Sequence, residues 1–466
     1  AIVHRNSPHF ISAYFGLTRL GAVAVPINFM VQKPDELAYM LNDCAAVGIV
    51  TQKEFLKGLR GAALKSSGLK TIWVTDASSE AAPGSLEQRF SSIDGDPDAL
   101  PSIDVDEHST ASILYTSDTT GNPKGVMLTH RNFVTNCQAT IARMALNRRD
   151  VGICILPMFH SFGWTGMVLL SLCLRSKLVI SASIAPAKPW LTLMGKHGVS
   201  LFAAVPQVYS VLAKEAVGFK GLVLKWWFFR KVRLAISGAA PMSPAVQAAF
   251  EQAFGVPILE GYGLTETSPV ATLNSLQARK TGSVGRAIDG VHVKIVDDNE
   301  KALPVGGEGE ICVEGDNIMK GYYGLPDATR EAFTKDGWFK TGDIGAMDEE
   351  GFVYIRDRKK DMIIIKGLKV FSAQVEATLL ENPDIAEAAI IGVPDEHGDE
   401  TIKAFLVLKP GVSADKQALM QYCRSKLDAY KRPRDIEIID ALPKNALQKV
   451  LKRDLRQREL ARRHVA

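Results

Sequence analysis

The apolar positions of the first hundred residues alternate between helical and strand spacing. From Pro8 to Leu20 they recur three and four residues apart and stop at Gly21, which predicts a helix. The run "AVAVPIN" at 22–28 reads as a strand, residues Pro34 to Leu41 as a helix, and "VGIVT" at 47–51 as a strand. Short strands separated by helices imply a parallel sheet with helices on its faces. Residues 76–110 are rich in Asp, Ser, Pro and Gly and read as a long polar connection. An apolar strand, Ile113 to Tyr115, then enters a loop of hydroxyls and glycines. A second strand, "GVMLT", follows, and Thr129 is placed to cap a helix from His130. From about Leu273 to Val313 the strands become glycine-punctuated, as in a small β-rich subdomain.

A seam falls near residue 357, where "RDRKKD" follows the strand "GFVYIRD". A separate α+β pattern runs from there: "DMIIIK", a helix through Val375 to Leu380, "AEAAIIGV", "TIKAFLVLK", and a helix through Leu419 to Leu427. The tail "KRDLRQRELARRHV" reads as a solvated basic helix. The expected fold class is therefore α/β. Residues 1–357 form a large domain of parallel sheets flanked by helices plus a β-rich subdomain, and residues 358–466 form a small α+β domain.

Composition narrows the classes. The 55 basic and 51 acidic side chains nearly balance, which by itself points to no nucleic-acid partner. The cysteines Cys44, Cys137, Cys154, Cys173, Cys312 and Cys423 show neither C-x-x-C nor zinc spacing and read as reduced core thiols of a cytoplasmic protein. No apolar run approaches the roughly 18 residues of a membrane span. The chain opens on Ala1 in mid-pattern, so an earlier natural start is expected.

The loop in "ILYTSDTTGNPKGVMLTH" suits phosphate. Ser117, Thr119, Thr120 and backbone amides can donate hydrogen bonds, Gly121 and Gly125 allow close approach, and Lys124 adds a point charge. It is not the G-x-x-x-x-G-K-[ST] loop, because no hydroxyl residue follows the lysine. "YTSDTTGNPKG" closely resembles the phosphate-loop signature of the adenylate-forming superfamily: acyl-CoA synthetases, luciferases and peptide-synthetase adenylation domains. Further motifs of that family follow in order: "LPMFHSFG" at 156–163, "SGAAP" at 237–241, "EGYGLTET" at 260–267, "FKTGD" at 339–343, "DRKKDMIIIKG" at 357–367 and "LPKNALQKVLKR" at 442–453. The resemblance covers essentially the whole chain and is strongest to medium- or long-chain fatty-acid–CoA ligases.

That resemblance implies a reaction in two halves: a carboxylate attacks the α-phosphorus of ATP, giving acyl-adenylate and pyrophosphate, and the thiol of coenzyme A then displaces AMP. It assigns Thr116, Ser117, Thr119, Thr120, Gly121 and Lys124 to the phosphates, and Glu266 to Mg²⁺, for which carboxylate oxygen is a suitably hard ligand. Thr265 faces the α-phosphate. Tyr262 and Gly263, with Gly238, Ala239 and Ala240 opposite, hold adenine. Asp343 and Arg358 reach the ribose or phosphate, and Lys449 is the catalytic lysine of the first half. His160 stands between the acyl and nucleotide pockets, with a packed core histidine as the alternative. Lys360 matches the hinge of a mobile small domain, and the Gly367 loop lines the approach of the thiol.

Two positions depart from the pattern. Asp118 and Gln448 stand where the family usually has glycine. Unit charges ~4 Å apart interact by about 4 kcal/mol at an effective dielectric of 20, so a carboxylate facing triphosphate would weaken ATP binding. This keeps open a rival reading, a relative that binds nucleotide or acyl ligand with impaired turnover. A fatty-acyl-AMP ligase is a second alternative. The acyl-pocket segments "FHSFGWTGMVLL", "VPQVYSVL" and "SGAAP" hold no Lys, Arg or Asp, which favours a fatty acid over an amino acid. In "FKGLVLKWWFFRKVR", aromatics framed by bases match a peripheral membrane patch, or else half-buried rings covering a sheet. Trp164 either gates the pocket or packs the core.

Overall fold

The computed structural model describes residues 1–78, 84–93, 103–116, 122–365, 368–394, 400–445 and 449–465. The chain divides into two compact units, Ala1–Val293 with Val313–Phe339, and Lys294–Cys312 with Lys340–Ala466.

The first unit is built on two parallel sheets and a hairpin. Strands Ile2–Val3, Gly48–Thr51, Thr71–Val74 and Glu87–Arg89 pair in sequence order, all parallel. The helices Pro8–Arg19 and Pro34–Asp43 stand where their periodicity predicts. Ser7 caps the first by accepting from the Phe10 amide. "AVAVPIN" is the exception. It makes only isolated bridges, Ile2 to Pro26 and Ala24 to Ser112. Ala24, Val25 and Ile27 are buried and Val23 is exposed, but Pro26 has no amide hydrogen with which to extend a ladder.

The second sheet has seven strands. Five are parallel: Ile258–Gly263, Leu234–Ser237, Leu201–Ala204, Val151–Cys154 and Lys177–Ile180. Val270–Leu273 and Arg286–Ala287 extend it antiparallel. Neighbouring strands Leu234–Ser237 and Ile258–Gly263 pair Ser237 with Glu260, so the segments following both strands emerge at one sheet edge. In open α/β sheets, the crevice beyond the carboxyl ends of the strands is where ligands bind. The hairpin Thr110–Thr116 and Lys124–Thr129 pairs Thr116 with Lys124 and so presents the intervening loop at its tip. Thr129 caps the helix His130–Arg143 in a reciprocal capping box with Asn132.

In the second unit, Ile385–Pro394 and Glu400–Leu408 pair antiparallel, with Asp435–Ile438 parallel beside them. Their side chains alternate between two cores. Ile390, Ile402, Ala404 and Leu406 join Val375, Leu379 and Leu419 on one face. Ala389, Ile391, Val393 and Phe405 join Leu442 and Leu455 on the other. This is why residues 388–393, "AAIIGV", are apolar throughout: both faces of the strand are covered there. Strands Phe339–Met347 and Val353–Arg358 form an antiparallel pair in the same unit.

The terminal helix, Lys452–Val465, corrects an expectation. It is docked, not solvated. Leu455 is buried, and Arg456 Nε donates to the Gly392 carbonyl at 3.2 Å. Lys403, 6% exposed, places Nζ 2.6 Å from Glu459, 3.0 Å from Glu437 and 3.2 Å from Asp435. The cysteine reading is corrected in part as well: Cys137, Cys154, Cys312 and Cys423 are buried, but Cys44 is half-buried and Cys173 is exposed.

Removing one partner of a buried ion cluster leaves uncompensated charge, at a cost of about 3–5 kcal/mol. Lys403→Ala should therefore lower the unfolding midpoint of the second unit and speed amide exchange across 452–465. Unchanged exchange in that helix would show that apolar packing alone holds it.

Candidate functional site

The first unit gathers one group of the sequence-predicted residues. Thr116 ends its strand, and its hydroxyl lies 3.5 Å from the Lys124 carbonyl across the hairpin. Ser117, Asp118, Thr119, Thr120 and Gly121 lie outside the described residues, so only the base of the phosphate loop is defined. The half-buried Lys124 holds Nζ 5.2 Å from the centre of the Tyr322 ring. The Tyr322 hydroxyl donates to Glu266 Oε1 at 3.0 Å. Glu266 sits in the tight turn Thr265–Thr267 and is buried. Its carbonyl accepts from the Met319 amide at 2.9 Å, and the Leu264 amide donates to the Thr267 hydroxyl at 2.8 Å. The turn is thus fixed from both sides. Lys124, Tyr322 and Glu266 form a line from the base of the phosphate loop to the candidate metal ligand.

Tyr262 and Gly263 stand half-buried at the end of their strand, with a bulge between them. A Cβ on Gly263 would meet the Pro269 carbonyl oxygen at 1.7 Å, so only glycine fits there. Gly238, Ala239 and Ala240 follow the neighbouring strand, and Ala239 takes φ 69°, which turns the chain sharply at the sheet edge. His160 is not a fully packed core histidine. It is half-buried at the start of a helical turn, where Nδ1 accepts from the Phe162 amide at 3.2 Å. Trp164 settles toward core packing: it is fully buried, with its ring 4.1 Å from that of Tyr14 and 5.4 Å from that of Phe10.

The second unit gathers the other group. Asp343 and Arg358 face each other across an antiparallel ladder, and Arg358 Nε lies 2.7 Å from Asp343 Oδ1. Asp343 is buried, and its amide donates to the Thr341 hydroxyl, which in turn donates to the Ile311 carbonyl. Gly342, at φ 70°, places its amide 3.1 Å from Glu310 Oε1. Lys360 is exposed at the end of this ladder, and Gly367 lies outside the described residues.

Lys449 is held by its own loop: its amide donates to Asn445 Oδ1 at 3.0 Å, and the Asn445 amide returns a bond to its carbonyl at 2.9 Å. Crowding by protein atoms lowers its ammonium from the usual lysine range to about 8. The Arg358 guanidinium and Lys360 push the same way, and the carboxylates of Asp343 and Asp361 oppose them. The side chain stays exposed, so water relieves part of that crowding. Gln448 lies outside the described residues.

A network absent from the sequence reading anchors this loop. Lys452 Nζ lies 2.6 Å from Ser372 Oγ and 2.7 Å from Glu376 Oε1. Ser372 donates to Asp357 Oδ2 at 2.7 Å, and Asp357 Oδ1 accepts from the Arg358 amide at 2.8 Å. Ser372 and Asp357 are buried.

Comparison with known proteins places this arrangement. The AMP-binding enzyme family matches residues 1–323, and the AMP-binding enzyme C-terminal domain matches 374–449. The chain belongs to the AMP-binding enzyme family. It is 34% identical over 495 residues to a long-chain-fatty-acid–CoA ligase of Bacillus subtilis (strain 168), covering 100% of this chain and 86% of that protein. It is 34% identical over 467 residues to 4-coumarate–CoA ligase 5 of Oryza sativa subsp. japonica, covering 97% and 83%. Among solved structures, ATP-bound MatB from Rhodopseudomonas palustris superposes with a TM-score of 0.88 at 30% identity, covering 98% of this chain and 88% of that one. The fold is the α/β fold of adenylate-forming enzymes, with a large N-terminal and a small C-terminal domain.

Two residues beside the candidate site were not singled out in the sequence. Tyr322 carries no motif of its own, and its bond to Glu266 exists only in three dimensions. Glu260 had a signal: it is a lone carboxyl in the apolar strand "ILEGYG". It is buried, and burial raises it to about 7 despite a bond from the Met242 amide. Between its ordinary value and about 7, the folded chain holds a proton that the unfolded chain has released. Stability from this group is therefore lost as pH rises through that window. Glu260→Gln should leave the melting midpoint unchanged near pH 4 and raise it at pH 8, by up to about 3 kcal/mol of stability. Equal effects at both pH values would refute this origin.

Proposed function

We propose that this chain, an AMP-forming acid–CoA ligase, takes a fatty acid as its acid. The observation that carries the reading is the chemistry of the candidate acyl segments. Residues 159–170, 205–212 and 237–241 hold no Lys, Arg, Asp or Glu, while Trp164, Met167, Val168, Tyr209 and Leu212 are buried within them. A second charge on the substrate would lack a partner there. The relationship to a long-chain-fatty-acid–CoA ligase supports the same class, and that to 4-coumarate–CoA ligases marks its competitor.

ATP, Mg²⁺ and coenzyme A are the small molecules of this chemistry. Glu266 fits Mg²⁺: it is a buried hard oxygen donor, and its Oε1 accepts from a neutral phenol. Among the described residues no group of three or more His, Cys, Asp and Glu could hold a metal, which suits an ion ligated mainly by phosphate and water. The ion supplies charge neutralisation along the phosphates.

In this reading Lys124 and the hydroxyl loop that follows Thr116 hold the triphosphate, and Thr265 steadies the α-phosphate. Tyr262 and Gly263 bound adenine on one side, with the Gly238–Ala240 backbone on the other. Asp343 accepts the ribose hydroxyls, oriented by Arg358. Lys449 draws the substrate carboxylate and the α-phosphate together. A carboxylate oxygen bonds to the α-phosphorus while the bond to pyrophosphate breaks. The thiol sulfur then bonds to the acyl carbon, and AMP leaves. His160 lines the passage between the acyl and nucleotide sites. The seam at 357/358 bounds two working domains, Lys360 is their hinge, and Gly367 takes part in thioester formation. No helix among the described residues is long and apolar enough to cross a membrane. A cytoplasmic location with peripheral membrane contact belongs to this reading.

Three outcomes are expected. Pyrophosphate release from Mg-ATP should rise along a panel from acetate to stearate and exceed that with coumarate or malonate; the reverse order would sink the fatty-acid reading. Lys449→Ala should slow adenylate formation by about 100- to 1,000-fold, the usual loss on removing one transition-state charge partner. Thioester formation from supplied acyl-adenylate should change little. The required ammonium titrates at about 8, so the wild-type first half should fall as pH rises through that value, and Lys449→Arg should move the fall upward. Asp118 is the remaining question. Absence of pyrophosphate release that Asp118→Gly restores would favour the impaired-relative reading.

A further inference from the structure

The segment between Val217 and Lys231 is an exposed apolar surface on a rigid mount. A short helix, Gly218–Val223, continues into a wider turn, Leu224–Phe228. Leu224 and Phe229 are buried and fix it to the unit, with the Phe229 ring 4.5 Å from that of Phe254 and 5.5 Å, edge-on, from that of Phe202. A Cβ on Gly195 would stand 3.1 Å from the Trp227 carbonyl oxygen, so the turn lies close against the helix Ala187–His197. Lys225 and Phe228 are half-buried, and the remaining large side chains face water. Phe219 is 82% exposed, Val217 71%, Trp226 69% and Trp227 66%. The aromatic run is therefore divided: Phe229 covers the sheet, and both tryptophans point outward.

The charge distribution is the second observation. From Val151 to Phe250 the chain carries ten Lys and Arg and a single carboxylate, Glu215, while the remainder of the chain is net acidic. Glu215 pairs with Lys220 beside the patch. Lys225 is half-buried, and Arg230 and Lys231 are exposed next to the tryptophans. Bases are no denser in this stretch than elsewhere; it is carboxylates that it lacks, so the segment bearing the most exposed aromatic side chains is net positive.

We propose that residues 217–231 dock the enzyme on an anionic lipid bilayer, with Phe219, Trp226 and Trp227 entering the headgroup region and Lys225, Arg230 and Lys231 facing lipid phosphates. Amphipathic aromatic rings favour that depth, and basic side chains at their rim are drawn to anionic headgroups. A second copy of the chain is a poorer occupant, because a self-complementary contact would set this basic rim against itself. The purpose of docking rests on the fatty-acid reading, since fatty acids partition into bilayers; the binding itself does not.

Co-sedimentation with vesicles of phosphatidylcholine containing about 30 mol% phosphatidylglycerol tests the surface at low salt, where charge attraction is least screened. The wild-type chain should bind, with a blue shift of tryptophan emission, and should bind pure phosphatidylcholine much more weakly. Phe219→Ser with Trp226→Ser, and separately Lys225→Gln with Arg230→Gln and Lys231→Gln, should each weaken binding on the order of a hundredfold. Both variants alter surface positions, so the melting midpoint and vesicle-free adenylation of a soluble acid should remain at wild-type levels. Absence of wild-type binding would overturn the proposal. So would equal binding to both lipid compositions, or a dimer in solution that the serine variant converts to a monomer. Vesicle binding without fatty-acid turnover would fault only the substrate reading, and turnover without binding only the docking.

Discussion

The bond from Ser372 to Asp357, closed by Lys452, is the constraint on which the chemistry of the second unit depends. Asp357 lies one residue before Arg358, and Lys452 lies three residues after Lys449. The bond distances of 2.6 and 2.7 Å therefore tie the strand that carries the Asp343–Arg358 pair to the loop that carries the candidate catalytic lysine. Ser372 and Asp357 are buried, so breaking this chain would strand polar groups away from water. A lysine on a free tail would spend most of its time elsewhere. Anchored three residues away, Lys449 stays close enough to Arg358 and Asp343 for both to act on its charge. Holding a charged group in place in advance is a general way of lowering the entropic cost of bringing reactants together.

The first unit solves the matching problem for phosphate with the same economy of parts. Parallel strands end together, which brings the Gly238–Ala240 turn and Tyr262–Gly263 to one edge. The hairpin delivers Lys124 and the loop that precedes it. Tyr322 then joins Lys124 to Glu266 through its ring and its hydroxyl. The backbone turn around Glu266 is braced by Met319 and Thr267, and the Tyr322 hydroxyl orients its carboxylate. Preorganised groups need no rearrangement when charge develops, and that is the source of their catalytic value.

Much of this was legible in the sequence because local chemistry and fold agree. The helices Pro8–Arg19 and His130–Arg143 stand where apolar spacing and a capping hydroxyl put them. The strand Ile385–Pro394 stands where "AEAAIIGV" was placed in the α+β pattern. "AVAVPIN" failed because alternation was weighed without the missing amide of Pro26. The terminal helix failed for a different reason. A run of bases reads as solvated unless the buried lysine facing it, Lys403, and the carboxylates between them are known, and those lie far apart in the chain. Motif residues such as Glu266 and Asp343 were singled out because the motifs that hold them resemble those of the family. Tyr322 and Ser372 were not, because what they do depends on partners far away in sequence.

The tryptophans of 226–227 show where reading and structure complement each other. The sequence offered two accounts of the same aromatic run, and the buried Phe229 fits the one in which rings cover a sheet. Burial divides it residue by residue, with Leu224 and Phe229 inward and Phe219, Trp226 and Trp227 outward. A folded protein tolerates scattered apolar side chains on its surface. A cluster held rigidly, among the bases of a region nearly devoid of carboxylates, is a different object. Hydration disfavours its exposure and charge disfavours its self-association, so the partner whose chemistry matches it is both apolar and anionic. A bilayer surface has both properties at once.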